Sequence, residues 1–288
     1  MLLILGAQGQ VGRAMADAAH AAGIPCRPLG HAECDVTDIP AVERAVADCE
    51  WVVNGSAYTA VDRAETEVEA AHQVNAVGAA NIARACRRSR VPLIHLSTDY
   101  VFDGEGARPA LEDDPPRPLN AYGESKLAGE RAVREALPCH IILRTSWVFA
   151  PYGRNFVRTM LRIAQTQREL KIVADQTGGP TAAAHIAAAI LAIMAKQARE
   201  SGEAWGTYHF SGTPAVSWWE FARAILANSG VTIVPITSAE YPQPALRPKN
   251  SVLDCGRILR TFGIPQPDWR LALPAVHAAF AAERALSG

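Results

Sequence analysis

Tyr122 and Lys126 stand four residues apart in the run Tyr122-Gly123-Glu124-Ser125-Lys126. On a helix that spacing puts both side chains on one face, one turn from each other. A free phenol titrates near pH ~10 and relays protons poorly at neutral pH. An ammonium beside it favours the phenolate and lowers that value. Such a tyrosine can protonate an alkoxide formed by hydride transfer, and the lysine can also reach a cofactor ribose. Many amphipathic helices carry Tyr and Lys at this spacing on a solvated face, so the surrounding chain has to decide.

Ser97 and Thr98 end the apolar run 91–96, which has strand length. Hydroxyls at the C-terminal end of a strand can hydrogen-bond a substrate carbonyl. Thr98, Tyr122 and Lys126 would then supply a carbonyl polariser, a proton donor and a pKa-lowering cation. The same hydroxyls could equally do no more than satisfy the strand end.

The elements that must position them begin at the N-terminus. Leu2 to Leu5 is an apolar run, followed by Gly6-Ala7-Gln8-Gly9-Gln10-Val11-Gly12 and a helical pattern up to Gly23. Strand, glycine loop and helix form the context of a dinucleotide fingerprint. The first glycine permits the tight turn, the second lets backbone amides approach a pyrophosphate, and the third lets helix and strand pack closely. The helix N-terminus adds positive dipole. The spacing is G-x-x-G-x-x-G, so a plain glycine-rich turn is the competing reading.

A second strand fits 24–29, interrupted by Pro25 and Pro28. An NAD site places Asp or Glu at the end of that strand to hold the ribose 2′-hydroxyl. Gly30 and His31 stand there instead, with Glu33 later, and Arg27 and His31 lean the reading toward NADP. Asp35 could meet an adenine edge or serve a simple turn. Asp38 and Pro40 fit the start of a helix over 40–49. A third strand at 51–54 opens into Gly55-Ser56-Ala57-Tyr58-Thr59, and a long helix is expected over 67–88. Strands at 91–96 and 141–144 complete an alternation that predicts an α/β fold, a doubly wound parallel sheet of Rossmann type.

After Phe149 the pattern changes. Helices are expected at 156–166, 183–196, 218–229 and 274–285, with loops at 178–181 and 242–249. Residues 1–150 read as a dinucleotide-binding domain. Residues 151–288 read mainly as a smaller substrate-binding lid, with some segments returning to the sheet and a cleft between the two.

Composition excludes several classes. The 288 residues are 49% hydrophobic and 20% charged, with a net charge of -1, so no basic field attracts nucleic acid. The six cysteines are scattered without a Cys-x-x-Cys pair, which argues against zinc and disulfides and for reduced thiols in the cytoplasm. No stretch is long enough to span a bilayer, and residues 1–5 read as a first strand, not a signal peptide. The eight histidines show no paired metal spacing, and His95 reads as a satisfied core residue.

Taken together, the motifs resemble the extended short-chain dehydrogenase/reductases and, within them, the dTDP-4-dehydrorhamnose reductases. They are Gly6-x-x-Gly9-Gln10-Val11-Gly12, Tyr58-Thr59-Ala60-Val61-Asp62, Ser97-Thr98-Asp99-Tyr100-Val101-Phe102 and Tyr122-Gly123-x-x-Lys126. Further along stand Arg144-Thr145-Ser146-Trp147-Val148, Asn155-Phe156, Asp175-Gln176-x-Gly178-x-Pro180-Thr181 and Arg247-Pro248-x-Asn250-Ser251. The resemblance spans essentially the whole chain.

It implies reduction of the C4 keto group of dTDP-4-dehydro-6-deoxy-L-mannose to dTDP-L-rhamnose, with NADPH as cofactor and NADH as the alternative. Gly9, Gln10 and Val11, between Gly6 and Gly12, would wrap the pyrophosphate. Asp35 and Val36 would flank the adenine, and Ala57, Tyr58 and Thr59 would line the cofactor channel. Thr98, Tyr122 and Lys126 would be the catalytic set, with Tyr122 and Lys126 also on the cofactor. Thr98, Asp99, Tyr100, Trp147 and Asn155 would surround the substrate, and Arg247 would contact its diphosphate. A dTDP-sugar is the expected partner, in a monomer or weak homodimer. The same fold also resembles the regulatory β subunit of methionine adenosyltransferase, an NADP-binding partner protein without a need for turnover. A reductase of another nucleotide ketosugar is a third reading.

Some members of this family bridge a dimer through Mg²⁺, using a glutamate two residues after the third glycine. Ala14 occupies that position here, and the helix face offers only Asp17. A hard cation needs several oxygen ligands, so neither metal nor metal-bridged dimer is expected. Reductase activity should therefore survive EDTA unchanged; a loss restored by added Mg²⁺ would reverse this reading of Ala14.

Overall fold

The computed structural model describes residues 1–199 and 204–287. Its first half runs β1 (Leu2–Leu5), α1 (Gln10–Ala21), β2 (Cys26–Leu29), α2 (Ile39–Val46), β3 (Trp51–Asn54), α3 (Val61–Ala64), α4 (Val68–His72), α5 (Ala79–Ser89), β4 (Leu93–Thr98), α6 (Ala121–Ala136) and β5 (His140–Thr145). The second half runs β6 (Val148–Phe149), α7 (Phe156–Ile163), β7 (Glu169–Val173), β8 (Thr177–Gly178), β9 (Thr181–Ala182), α8 (Ala183–Arg199) and β10 (Gly206–His209). It ends with β11 (Val216–Ser217), α9 (Trp218–Ile225), β12 (Thr232–Ile236), α10 (Gly256–Phe262) and α11 (Leu273–Ser287).

Six strands form one parallel sheet in the order β2-β1-β3-β4-β5-β10. β1, β4 and β5 are buried along their whole length, as a parallel sheet covered on both faces requires. Met15 and Ala19 of α1 pack with Ile186 and Ile190 of α8 on one face. Val42 and Val46 of α2 pack with Ile82 and Cys86 of α5 and Val133 of α6 on the other. The strand order reverses at β1, which lies between β2 and β3. Ligands of open α/β sheets bind outside the C-terminal strand ends at such a switch point.

A third core lies outside the sheet. Phe149, Val157, Met160, Phe221, Ile225 and Trp269 pack together there, and β7 pairs with β12 in parallel register from Glu169 opposite Thr232. β10 comes from the second half and completes the main sheet beside β5.

Several elements differ from expectation. β2 begins at Cys26 rather than 24, and as the edge strand it tolerates Pro28. β4 continues two residues past 96, so Ser97 and Thr98 stand in the ladder opposite Arg144 and Thr145. β7, β10, β12 and α10 are elements that apolar periodicity left unassigned.

The helix expected over 67–88 is present from Val68 to Ser89, but it is not α-helical throughout. Between α4 and α5 the turn Gln73–Gly78 is a π-helix. The wide turn aims Asn75 inward, where Oδ1 accepts from the Tyr58 amide at 2.8 Å and Nδ2 donates to the Tyr58 carbonyl at 3.0 Å and to Ser125 Oγ at 2.9 Å. A tertiary network of this kind outweighs the regular helix. α6 crosses it at Gly129, where a Cβ would lie 2.1 Å from the Asn75 carbonyl oxygen. Gly129→Ala should therefore lower stability by roughly 1–3 kcal/mol through overpacking, read from the urea midpoint. An unchanged midpoint would mean that the π turn yields freely.

Candidate active site

The glycine loop is shaped by space as much as by dihedral angle. Gly6 sits at φ +74, in the left-handed region that favours glycine, and a Cβ there would lie 2.5 Å from the Ser56 amide. A Cβ on Gly12 would lie 2.2 Å from the Gly6 carbonyl oxygen, so α1 presses directly on the loop. Gly9 begins α1 with no side-chain cap and no acid in the first turn. The Gly9 amide donates to the Gly6 carbonyl at 3.0 Å, so the amides of Gln10 and Val11 are the ones left for an anion, and the loop fits a dinucleotide pyrophosphate.

Above the loop, the C-terminal ends of β3, β4 and β5 open into one cleft of about 560 Å³, closed on its far side by Trp147, Val148, Gly153, Arg154 and Trp218. α6 brings Tyr122 and Lys126 to it. Asn120 starts that helix, its Oδ1 accepting from the Gly123 amide at 2.8 Å.

Lys126 is only 3% exposed, and its Nζ donates to the Leu96 carbonyl at 2.7 Å. Burial lowers the ammonium to about 8, opposed by Glu130. Burial pushes the Tyr122 phenol up to about 12, while contact with the Thr98 hydroxyl works in the lowering direction. The expected depression of Tyr122 by Lys126 is not found: burial raises the phenol, the Asp99 charge adds to that, and the phenol is protonated at neutral pH. Thr98 Oγ1 accepts from the Tyr100 amide at 3.2 Å and donates to Asp99 Oδ1 at 2.9 Å. Burial also raises Asp99, to about 7, against hydroxyls of Ser251 and Thr98.

Gly9, Gln10, Val11, Ala57, Thr59, Thr98, Asp99, Tyr100, Tyr122, Lys126 and Trp147 all line this one cleft. Gly6 and Gly12 shape the loop beneath it. The remaining candidates stand elsewhere. Asp35 Oδ1 accepts from the Thr37 amide at 2.9 Å and the Thr37 hydroxyl at 2.8 Å, a turn arrangement. Val36 is buried under Gly78. The Tyr58 phenol donates to Glu67 at 2.6 Å. Asn155 caps α7 and donates to Gln10 Oε1 at 2.9 Å. Arg247 forks onto Asp62 at 2.9 and 2.8 Å.

One cation and one histidine are placed differently from expectation. Arg27 is turned onto the Ala45 carbonyl at the end of α2, which leaves His31 of the pair that leaned toward NADP. His95 is half satisfied: Nδ1 accepts from Asn54 Nδ2 at 3.0 Å, while Nε2 is buried without a partner.

Other residues of the site escaped sequence reasoning. Trp218 stacks on Trp147 with ring centroids 3.4 Å apart and planes 5° from parallel. Trp147 holds φ +44, a left-handed conformation that a bulky residue adopts only where its surroundings enforce it. Gly178 leaves the necessary room, since a Cβ there would lie 2.4 Å from Trp147 Cε2. The available signal for Trp218 was the Ser217–Glu220 capping box, which starts α9 there. Glu130, one turn after Lys126, is wholly buried. It accepts from Ser97 Oγ at 2.6 Å and from Arg144 Nε and Nη2 at 2.8 and 2.7 Å. Its spacing of four from Lys126 was the legible clue.

Residues 1–282 match the family described as the RmlD substrate binding domain. The chain belongs to that family. The dTDP-4-dehydrorhamnose reductase of Aggregatibacter actinomycetemcomitans is 42% identical, over 96% of this chain and 98% of that protein. The crystal structure of a dTDP-4-dehydrorhamnose reductase from Clostridium acetobutylicum superimposes with a TM-score of 0.91 at 34% identity, covering 97% of this chain and 99% of that one. The Bacillus anthracis dTDP-4-dehydrorhamnose reductase, solved in complex with NADP, gives a TM-score of 0.89 at 36% identity, covering 96% and 98%. Among the described residues of this RmlD-family chain, no three His, Cys, Asp or Glu side chains gather as a metal site would require. None of its described helices is long and apolar enough to cross a membrane.

Proposed function

We propose that this chain reduces the C4 keto group of dTDP-4-dehydro-6-deoxy-L-mannose with NADPH, giving dTDP-L-rhamnose. The observation that carries it is the convergence of Tyr122, Thr98 and Lys126 in the cleft that begins at the glycine loop. The names of the relatives supply the substrate, and the NADP complex of the Bacillus anthracis relative supports the cofactor.

The amides of Gln10 and Val11, in the loop that Gly9 keeps open, would hold the pyrophosphate, and Lys126 would hold the nicotinamide ribose. When bound, the cofactor supplies the hydride to C4. Tyr122 donates its proton to the oxygen that becomes the hydroxyl. A phenol at about 12 keeps that proton until a far more basic alkoxide develops. Lys126 then offsets the phenolate charge. Thr98 fixes the carbonyl beside Tyr122, and the Trp147–Trp218 wall keeps water from the reacting centre. Positioning, rather than covalent chemistry, does the catalysis. The part of 151–288 that packs outside the main sheet acts as the lid. Ala14 and the single Asp17 speak against a bound Mg²⁺, and the six free cysteines fit a cytoplasmic enzyme, working as a monomer or weak homodimer.

Tyr122→Phe should lower kcat by roughly 10²–10⁴-fold, with NADPH binding almost unchanged in a fluorescence titration; wild-type turnover would remove Tyr122 from the chemistry. Lys126 works while protonated, so kcat/KM, which reports the free enzyme, should hold at lower pH and decline as pH rises through about 8. A profile that stays flat well above that value would show that the Lys126 charge is dispensable.

A further inference from the structure

The wall facing the glycine loop comes from the second half of the chain. Residues 150–155 leave β6 and reach over to α1. Tyr152 Oη donates to the Gln10 carbonyl at 3.3 Å, and Asn155 Nδ2 donates to Gln10 Oε1 at 2.9 Å. The Arg13 guanidinium lies over the Tyr152 ring, 4.1 Å from its centroid. Gly153, at φ +72, comes so near that a Cβ would lie 3.3 Å from Gln10 Cγ. These contacts deliver Arg154 into the cleft alongside Gly9, Gln10 and Val11.

Of the side chains lining the cleft, only Asp99, Lys126 and Arg154 carry formal charge. Lys126 is fastened to the Leu96 carbonyl. Arg247, the cation that the sequence offered for a diphosphate, is already forked onto Asp62. Arg158, one turn along from Arg154, is paired with Glu283 at 2.6 Å. Among the described residues Arg154 alone of these arginines has no hydrogen bond or ion pair.

A pyrophosphate on the α1 amides presents oxygens on its other side as well. The planar guanidinium fork matches phosphate oxygens two at a time. We propose that Arg154 binds the pyrophosphate of the nicotinamide cofactor from the side facing the glycine loop, opposite the amides of Gln10 and Val11. This rests on the reductase reading above. It adds a cofactor contact contributed by the second half of the chain, so the cofactor bridges the two halves.

The test is NADPH titration followed by tryptophan fluorescence, since Trp147 and Trp218 stand in the cleft. Arg154→Ala should raise the NADPH Kd roughly five- to twentyfold, the loss of one charge-assisted contact at a partly solvated site. Its Kd should also depend less steeply on salt than that of the wild type. Arg154→Lys should recover part of the affinity. Arg162→Ala, a nearby cation outside the cleft, should leave the Kd within about twofold of wild type, and the sugar-nucleotide KM of Arg154→Ala should do the same. A raised sugar-nucleotide KM with an unchanged NADPH Kd would assign Arg154 to the substrate's diphosphate and overturn the proposal. No change in either would overturn it too, leaving Arg154 a solvated side chain. A wild-type protein that fails to bind NADPH at all would instead bring down the reductase reading, and this proposal with it.

Discussion

Glu130 is a carboxylate with no exposed surface, gripped by the Arg144 fork, by Arg134 and by the Ser97 hydroxyl. Burial alone would raise its pKa; the Arg144 guanidinium reverses that and holds it below the usual carboxylate range. Such a group costs several kcal/mol if any partner is lost, so its geometry is closely defined. Its partners sit on different elements: Ser97 on β4, Arg144 on β5, and Glu130 itself on α6, one turn past Lys126. The network therefore sets the rotation of α6 against the sheet. That rotation brings the Tyr122 hydroxyl to Thr98 and the Lys126 ammonium to the Leu96 carbonyl.

Exclusion of water then sets the protonation states. The shifts at Tyr122, Lys126 and Asp99 share burial as their first cause. The phenol is held protonated, the ammonium is weakened, and the carboxyl is brought close to neutrality. A donor that stays loaded at neutral pH, next to a cation able to balance it after transfer, suits reduction of a ketone. Nearness of Tyr to Lys along the helix is not enough to set these values, because desolvation is the larger effect.

Two clasps hold the halves of the molecule on either side of the cleft. One is the Asp62–Arg247 fork, reinforced where Asn120 Nδ2 donates to the Leu246 carbonyl at 2.7 Å. Asn120 also caps α6, so the strap at 245–247 is tied to the catalytic helix. The other is the loop 150–155 lying on α1. Partly exposed ion pairs and single hydrogen bonds contribute about 1 kcal/mol or less each. Clasps of that strength hold the walls of the cleft in place without locking them.

The sequence by itself determined whatever depends on near neighbours. The apolar run 2–5, the three glycines and the following helix are local, and a Cβ at Gly12 would collide with Gly6 in the same loop, whereas the crowding at Gly6 comes from Ser56 beyond β3. Tyr122 and Lys126 share a face because helical periodicity puts them there. The α/β alternation was legible for the same reason, although β4 runs two residues past its expected end. Only the tertiary structure decided which long-range partner each side chain meets. Arg247 is claimed by Asp62, 185 residues away in the chain. Trp218 becomes a cleft wall by stacking on Trp147, and Arg154 is carried in by a loop docked on Gln10. The π turn at 73–78 exists because Asn75 bonds Tyr58 and Ser125, not because its own residues favour it. Propensity and spacing act over one or two turns of chain, whereas burial, ion pairing and ring stacking act between segments that are brought together only by the folded core.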